Sequence, residues 1–140
     1  MQSPAKNYQE PPRAPENITL LLLSPHDDDV TALRNVFHHP GWRVERRHSL
    51  SEGLTELGKV PVVLTERDLP DGSWKDVLEV LTSEQKGGAL IVISRYADEL
   101  LWAEVLNLGG YDVLQKPFET NEVLRVVSMA WRQGKSRIPA

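Results

Sequence analysis

Short runs of almost unbroken apolar residues alternate along this chain with stretches in which apolar residues recur every three or four positions. Ile18 to Leu23 is such a run, the pattern of a strand covered on both faces, and Ser24-Pro25 stops it. Val30, Leu33, Val36 and Phe37 then repeat at helical spacing until His38-His39-Pro40-Gly41. Of the preceding Asp27, Asp28 and Asp29, one is expected to cap this helix and the others to favour its positive end. Trp42 and Val44 alternate with Arg43 and Glu45, which predicts a short strand near the sheet edge. Ser49-Leu50-Ser51-Glu52 has capping-box spacing, with Leu50, Leu54 and Leu57 as an apolar face and Gly58 as the stop.

A third strand is expected over Val60 to Thr65, followed by a helix capped by Ser73 that buries Trp74, Val77, Leu78 and Leu81. Gly87-Gly88 breaks the pattern, and Ala89 to Ser94 reads as another buried strand. A helix from about Asp98 to Leu108 turns Leu101, Val105 and Leu108 inward, and Gly109-Gly110 closes it. Tyr111 to Gln115 is the fifth strand and Lys116-Pro117-Phe118 a sharp loop, where Lys116-Pro117 is a candidate cis bond. Thr120 is expected to cap a final helix carrying Val123, Leu124, Val127 and a core-packed Trp131. Five strands alternating with five helices imply an α/β fold, a doubly wound parallel sheet between two helical layers.

Composition narrows this picture. At 140 residues one domain is expected, placed at 18–132 between a Pro-rich disordered leader, 1–17, and a flexible tail, 133–140. The absence of cysteine removes disulfides and Cys-based metal sites, and a cytoplasmic location is the expectation. A net charge of -4 argues against direct nucleic-acid binding, and no apolar run approaches the roughly 20 residues that span a bilayer.

Candidate chemistry lies at the carboxyl ends of the strands, where sheets of this kind place their ligands. Those ends are Ser24 to Asp28, Glu66, Ser94 and Lys116. A metal-hydrolase reading from His26, Asp27, Asp28 and Glu66 finds no dedicated ligand spacing to support it.

At these places the sequence resembles the receiver domain of two-component response regulators, over about Ile18 to Trp131. The resemblance rests on L-P-D-G at Leu69 to Gly72, the apolar strand ending in Ser94, and L-Q-K-P-F at Leu114 to Phe118. It implies a flavodoxin-like (βα)5 fold. It also implies an aspartate after the third strand that accepts a phosphoryl group from a kinase, two acids after the first strand that hold Mg²⁺, and a hydroxyl and a lysine that contact the phosphoryl group.

This chain departs from the pattern at three positions. Glu66 stands where the resemblance places the acceptor aspartate, which carries the charge one methylene too far for in-line attack. Ser24 and Pro25 occupy the places of the adjacent acids, so Asp27 and Asp28 are the nearest metal-ligand candidates. Val113 replaces the aromatic residue often found before the lysine. The resulting expectation is a pseudo-receiver and not an enzyme: Ser94 and Lys116 retained, no cofactor required although Mg²⁺ remains compatible with the fold. The alternative is a Mg²⁺-dependent receiver using Glu66 or Asp68. Partners implied are a histidine kinase or an output protein, or a second copy, met through the surface of helix four, strand five and helix five, with Trp102 as a candidate contact. Only Arg132 to Ala140 follow Trp131, so output is expected to pass through another protein.

Overall fold

The computed structural model describes residues 17–37, 41–84 and 86–137. Strands β1 (Ile18–Leu23), β2 (Trp42–Arg47), β3 (Val62–Glu66), β4 (Ala89–Ser94) and β5 (Asp112–Gln115) form one parallel sheet in the order β2-β1-β3-β4-β5. Between them lie helices α1 (Asp27–Val36), α2 (Leu50–Gly53), α3 (Trp74–Ser83) and α4 (Glu99–Leu108), and α5 (Thr120–Arg137) follows β5. The chain leaves β1 for one edge and returns to β3 on its other side. The order therefore reverses between β1 and β3, and a crevice opens at their carboxyl ends.

Strand alternation sorts the core into two layers. Leu20, Leu22, Leu64 and Ile91 face α1 and α5, where Leu33, Val123 and Val127 meet them. Leu21, Leu23, Val63 and Val92 face the other way, toward Trp74, Val77, Leu81 and Val105 of α3 and α4. Both faces of the central strands are covered, which is why these strands are apolar without interruption.

Ser73 caps α3 as expected, within a capping box that includes Asp76: Ser73 accepts from the Lys75 amide, and Asp76 accepts from the Ser73 amide. Asp98 caps α4 through the Leu101 amide at 2.8 Å. Asp98→Ala is expected to lower stability by about 1 kcal/mol, read as a shifted urea midpoint with an unchanged slope. The Lys116–Pro117 peptide is cis, as expected from sequence.

Several local expectations are corrected. The residue preceding α1 is His26, which makes no side-chain cap bond, so the three aspartates all lie within the first turn. At α5 the cap is Glu119, whose carboxylate receives the amides of Asn121 and Glu122, and Thr120 is already helical. Helix α2 ends at Gly53, leaving Leu54 outside the core, and Leu108 faces solvent because α4 turns only Leu101 and Val105 onto the sheet.

The domain boundary also moves. Helix α5 continues to Arg137, past the expected tail start at residue 133. Within this last stretch Gly134 lets the helix lie against the Pro61 carbonyl so closely that a Cβ would overlap it. The leader at 1–16, His38 and His39, and 138–140 lie outside the described residues.

Candidate functional site

Three charges, one buried and two largely buried, meet at the switch point. Glu66 ends β3, and its Oε2 lies 2.5 Å from Lys116 Nζ, which follows β5. The same ammonium reaches both oxygens of Asp29 in the first turn of α1, at 3.0 and 3.2 Å. Side-chain exposure is 10% for Lys116, 12% for Glu66 and 5% for Asp29. One cation thus answers two carboxylates that are largely withdrawn from water, an arrangement stable only while the pairing is complete.

Asp29 is held from its other side as well. Ser24, fully buried after β1, donates its hydroxyl to Asp29 Oδ2 at 2.7 Å and accepts the His26 amide at 3.0 Å. Serine at this place therefore orients an acid supplied by the helix. The sheet supplies the remaining alignment: the Lys116 amide donates to the Ser94 carbonyl at 3.0 Å, and the Arg67 amide to the Ile93 carbonyl at 3.1 Å.

The aspartates named from sequence separate. Asp27 points outward, 88% exposed, and pairs with Arg46 at 2.8 Å. Asp28 stands at the rim of the cleft, and Asp29, not singled out by sequence reasoning, enters it. The signal was present: Asp29, Leu33 and Val36 are spaced i, i+4, i+7 and share the buried face of α1. A charged residue in phase with an apolar stripe marks a position that turns inward.

Ser94 lies beside the cleft, with its hydroxyl accepting the Tyr96 amide at 3.0 Å, while Glu66 is met by Lys116. The cleft, of about 230 Å³, is also lined by Asp68, Arg67 and Arg95. Asp68 belongs to a two-residue ladder with Ser73 and is exposed. Within the same loop, Asp71 receives the amides of Leu50 and Ser51, both at 2.9 Å. These amides, Ser51 first, hold its carboxyl below the usual carboxylate value, so the tie exists above that range and is lost on acidification through the lowered value.

Elsewhere, Trp102 is 50% exposed on α4. Trp131 packs partly against the core with Lys135 over its ring at 4.6 Å, in line with the expected core role. No helix among the described residues is long and apolar enough to cross a membrane.

Comparison with known proteins converges on one group. The chain is 28% identical over 103 residues to the acid tolerance regulatory protein ActR of Rhizobium meliloti, covering 70% of this chain and 53% of the relative. It is 25% identical over 107 residues to the photosynthetic apparatus regulatory protein RegA of Cereibacter sphaeroides, covering 75% and 58%. Likeness to the two-component response regulator-like APRR1 of Arabidopsis thaliana is 27% over 118 residues, covering 78% of this chain and 19% of that protein. The chain spans about half the length of the first two relatives.

Among solved structures, the signal receiver domain of an HD domain-containing protein from Pseudomonas fluorescens superposes with a TM-score of 0.74 at 18% identity, covering 91% of this chain and 96% of that one. The receiver domain of a Francisella response regulator gives 0.73 at 19% identity, covering 83% and 98%. No family model matches the chain.

Proposed function

We propose that this response regulator receiver domain acts in signalling as a pseudo-receiver, a module that works through protein–protein contacts with ordinary aspartyl phosphorylation lost. The observation that carries this reading is the bridge from Lys116 to Glu66 and Asp29. Phosphoryl transfer needs an acceptor oxygen presented in line and developing charge neutralised by a cation. Glutamate at the acceptor position reaches further than aspartate, and here its carboxylate is already tied to the lysine.

Mg²⁺ fits these residues poorly. Asp27 is engaged outward by Arg46, Asp28 stays at the rim, and the two inward carboxylates share Lys116. No group of three or more His, Cys, Asp or Glu among the described residues is placed to hold a metal ion. In this reading the resident cation of the site is Lys116 itself, no cofactor is required, and no step passes through a metal.

The test is incubation with a small phosphodonor and Mg²⁺ followed by intact-mass measurement. No acyl-phosphate adduct is expected on the native chain, nor on Glu66→Asp, in which Ser24 and Pro25 still occupy the places of the family's acid pair. The competing reading, a Mg²⁺-dependent receiver that accepts phosphate on Glu66 or Asp68, is favoured by the presence of both residues on one cleft. An adduct mapped to either residue would establish it. The partners of the module are a histidine kinase, an output protein or a second copy, met through the face of α4, β5 and α5.

A further inference from the structure

Helix α4 is apolar nearly all the way round. Leu101 and Val105 are buried on the sheet, yet Leu100 is 81% exposed, Trp102 half exposed and Leu108 half exposed. A helix with one side free normally places polar residues there. Of these, Leu100 lies on the flank of Glu104, whereas Trp102 borders β5 and α5, where an exposed indole marks a surface that another molecule covers.

The ground beside this surface has a definite charge. An open cleft of about 350 Å³ runs between α4, β5 and α5, with Val113 and the Trp102 ring as apolar walls. Its remaining lining includes Asp98, Glu99 and Glu122, and no Lys or Arg. Asp98 accepts the Leu101 amide as the α4 cap, but among the described residues Glu99 and Glu122 have no ion pair. On the opposite flank of the same helix Glu104 is answered by Lys75 at 3.0 Å. The partly buried indole of α5 differs too: Lys135 lies over Trp131, whereas no cation lies over Trp102 among the described residues.

We propose that this cleft receives a basic side chain, best an arginine, from an apolar-flanked segment of a partner protein. The guanidinium would stack on Trp102 and meet the Glu99 and Glu122 carboxylates, while a flanking apolar residue covers Val113. Arginine suits the place because its planar, weakly hydrated cation both stacks on an indole and bonds carboxylates in pairs. This rests on the interaction-module reading and names the chemistry of its partner.

The experiment titrates the full, isotope-labelled chain with a blocked hexapeptide Leu-Arg-Leu-Leu-Arg-Leu. The Trp102 indole N–H and the amides of Glu99, Val113 and Glu122 are followed by NMR. These signals are expected to shift, with binding weakened by added salt, and the Leu-Glu-Leu-Leu-Glu-Leu control is expected to leave them in place. Trp102→Ala and the pair Glu99→Gln with Glu122→Gln are each expected to weaken binding roughly tenfold or more.

The proposal is overturned if the basic peptide shifts nothing at millimolar concentration, if the acidic peptide binds as well, or if the variants bind as the native chain does. It is also overturned if the Trp102 signals move with protein concentration alone, which would assign the face to a second copy. The readout is separate from the phosphodonor assay, so an adduct on Glu66 would defeat the pseudo-receiver reading and leave this cleft to be judged on its own.

Discussion

Lys116→Met lowers the free energy of unfolding by about 3 to 5 kcal/mol, the cost of leaving a buried charge without its partner. Its removal strands Asp29 and Glu66, both nearly buried, on either side of an apolar side chain. The effect is therefore larger than that of an exposed pair such as Arg43 with Glu45, 4.0 Å apart, for which about 0 to 1 kcal/mol is expected. Denaturant unfolding of Lys116→Met, of Lys116→Met with Glu66→Gln, and of the triple variant adding Asp29→Asn checks the cause. Stability recovers stepwise as each carboxylate is neutralised, because the three groups act as one unit. If the triple variant is no more stable than Lys116→Met, the bridge is not what holds this corner together.

Gly134→Val produces the second large loss, about 3 kcal/mol or somewhat more, by forcing volume into a closed contact. Any Cβ at Gly134 overlaps the Pro61 carbonyl and presses on the Ala89 amide. That amide donates to the same carbonyl at 2.8 Å, so the side chain also wedges open the bond that leads the chain into β4. Helix propensity acts the other way, since alanine in place of glycine favours a helix by about 1 kcal/mol. Gly134→Ala therefore separates the two terms: a net destabilisation shows that the contact outweighs propensity. A gain in stability would show that α5 shifts away at little cost.

Much of the fold is legible from local pattern. The strand at Ala89–Ser94 matches its predicted bounds, and the stripe Trp74, Val77, Leu78 and Leu81 is buried as its spacing requires. These succeed because burial on both faces of a parallel strand, or on one face of a helix, imposes a period that needs no tertiary knowledge. The errors cluster where a distant element decides. Leu108 obeys the helical spacing, yet as the last residue of α4 it is left exposed. The tail expected from residue 133 is helical to Arg137, where Gly134 packs closely against Pro61.

The site divides in the same way. Glu66, Ser94 and Lys116 sit at strand ends, so a strand count brings them to one edge of the sheet. Among the aspartates, Asp27, Asp28 and Asp29 are consecutive and chemically alike, and only helix phase and the Ser24 hydroxyl determine that Asp29 turns inward. Similarly, Glu99 and Glu122 are 23 positions apart in the chain and share a cleft with Trp102 only because α4 and α5 flank β5.

By itself, then, the order of apolar runs determined the doubly wound sheet and the edge at which chemistry gathers, since periodicity is a local property of the chain. Tertiary structure alone decided that Lys116 is shared between Glu66 and Asp29, because that bridge joins residues 50 and 87 positions apart. Charge pairing falls off over a few ångströms, and only the folded sheet brings those groups within that range.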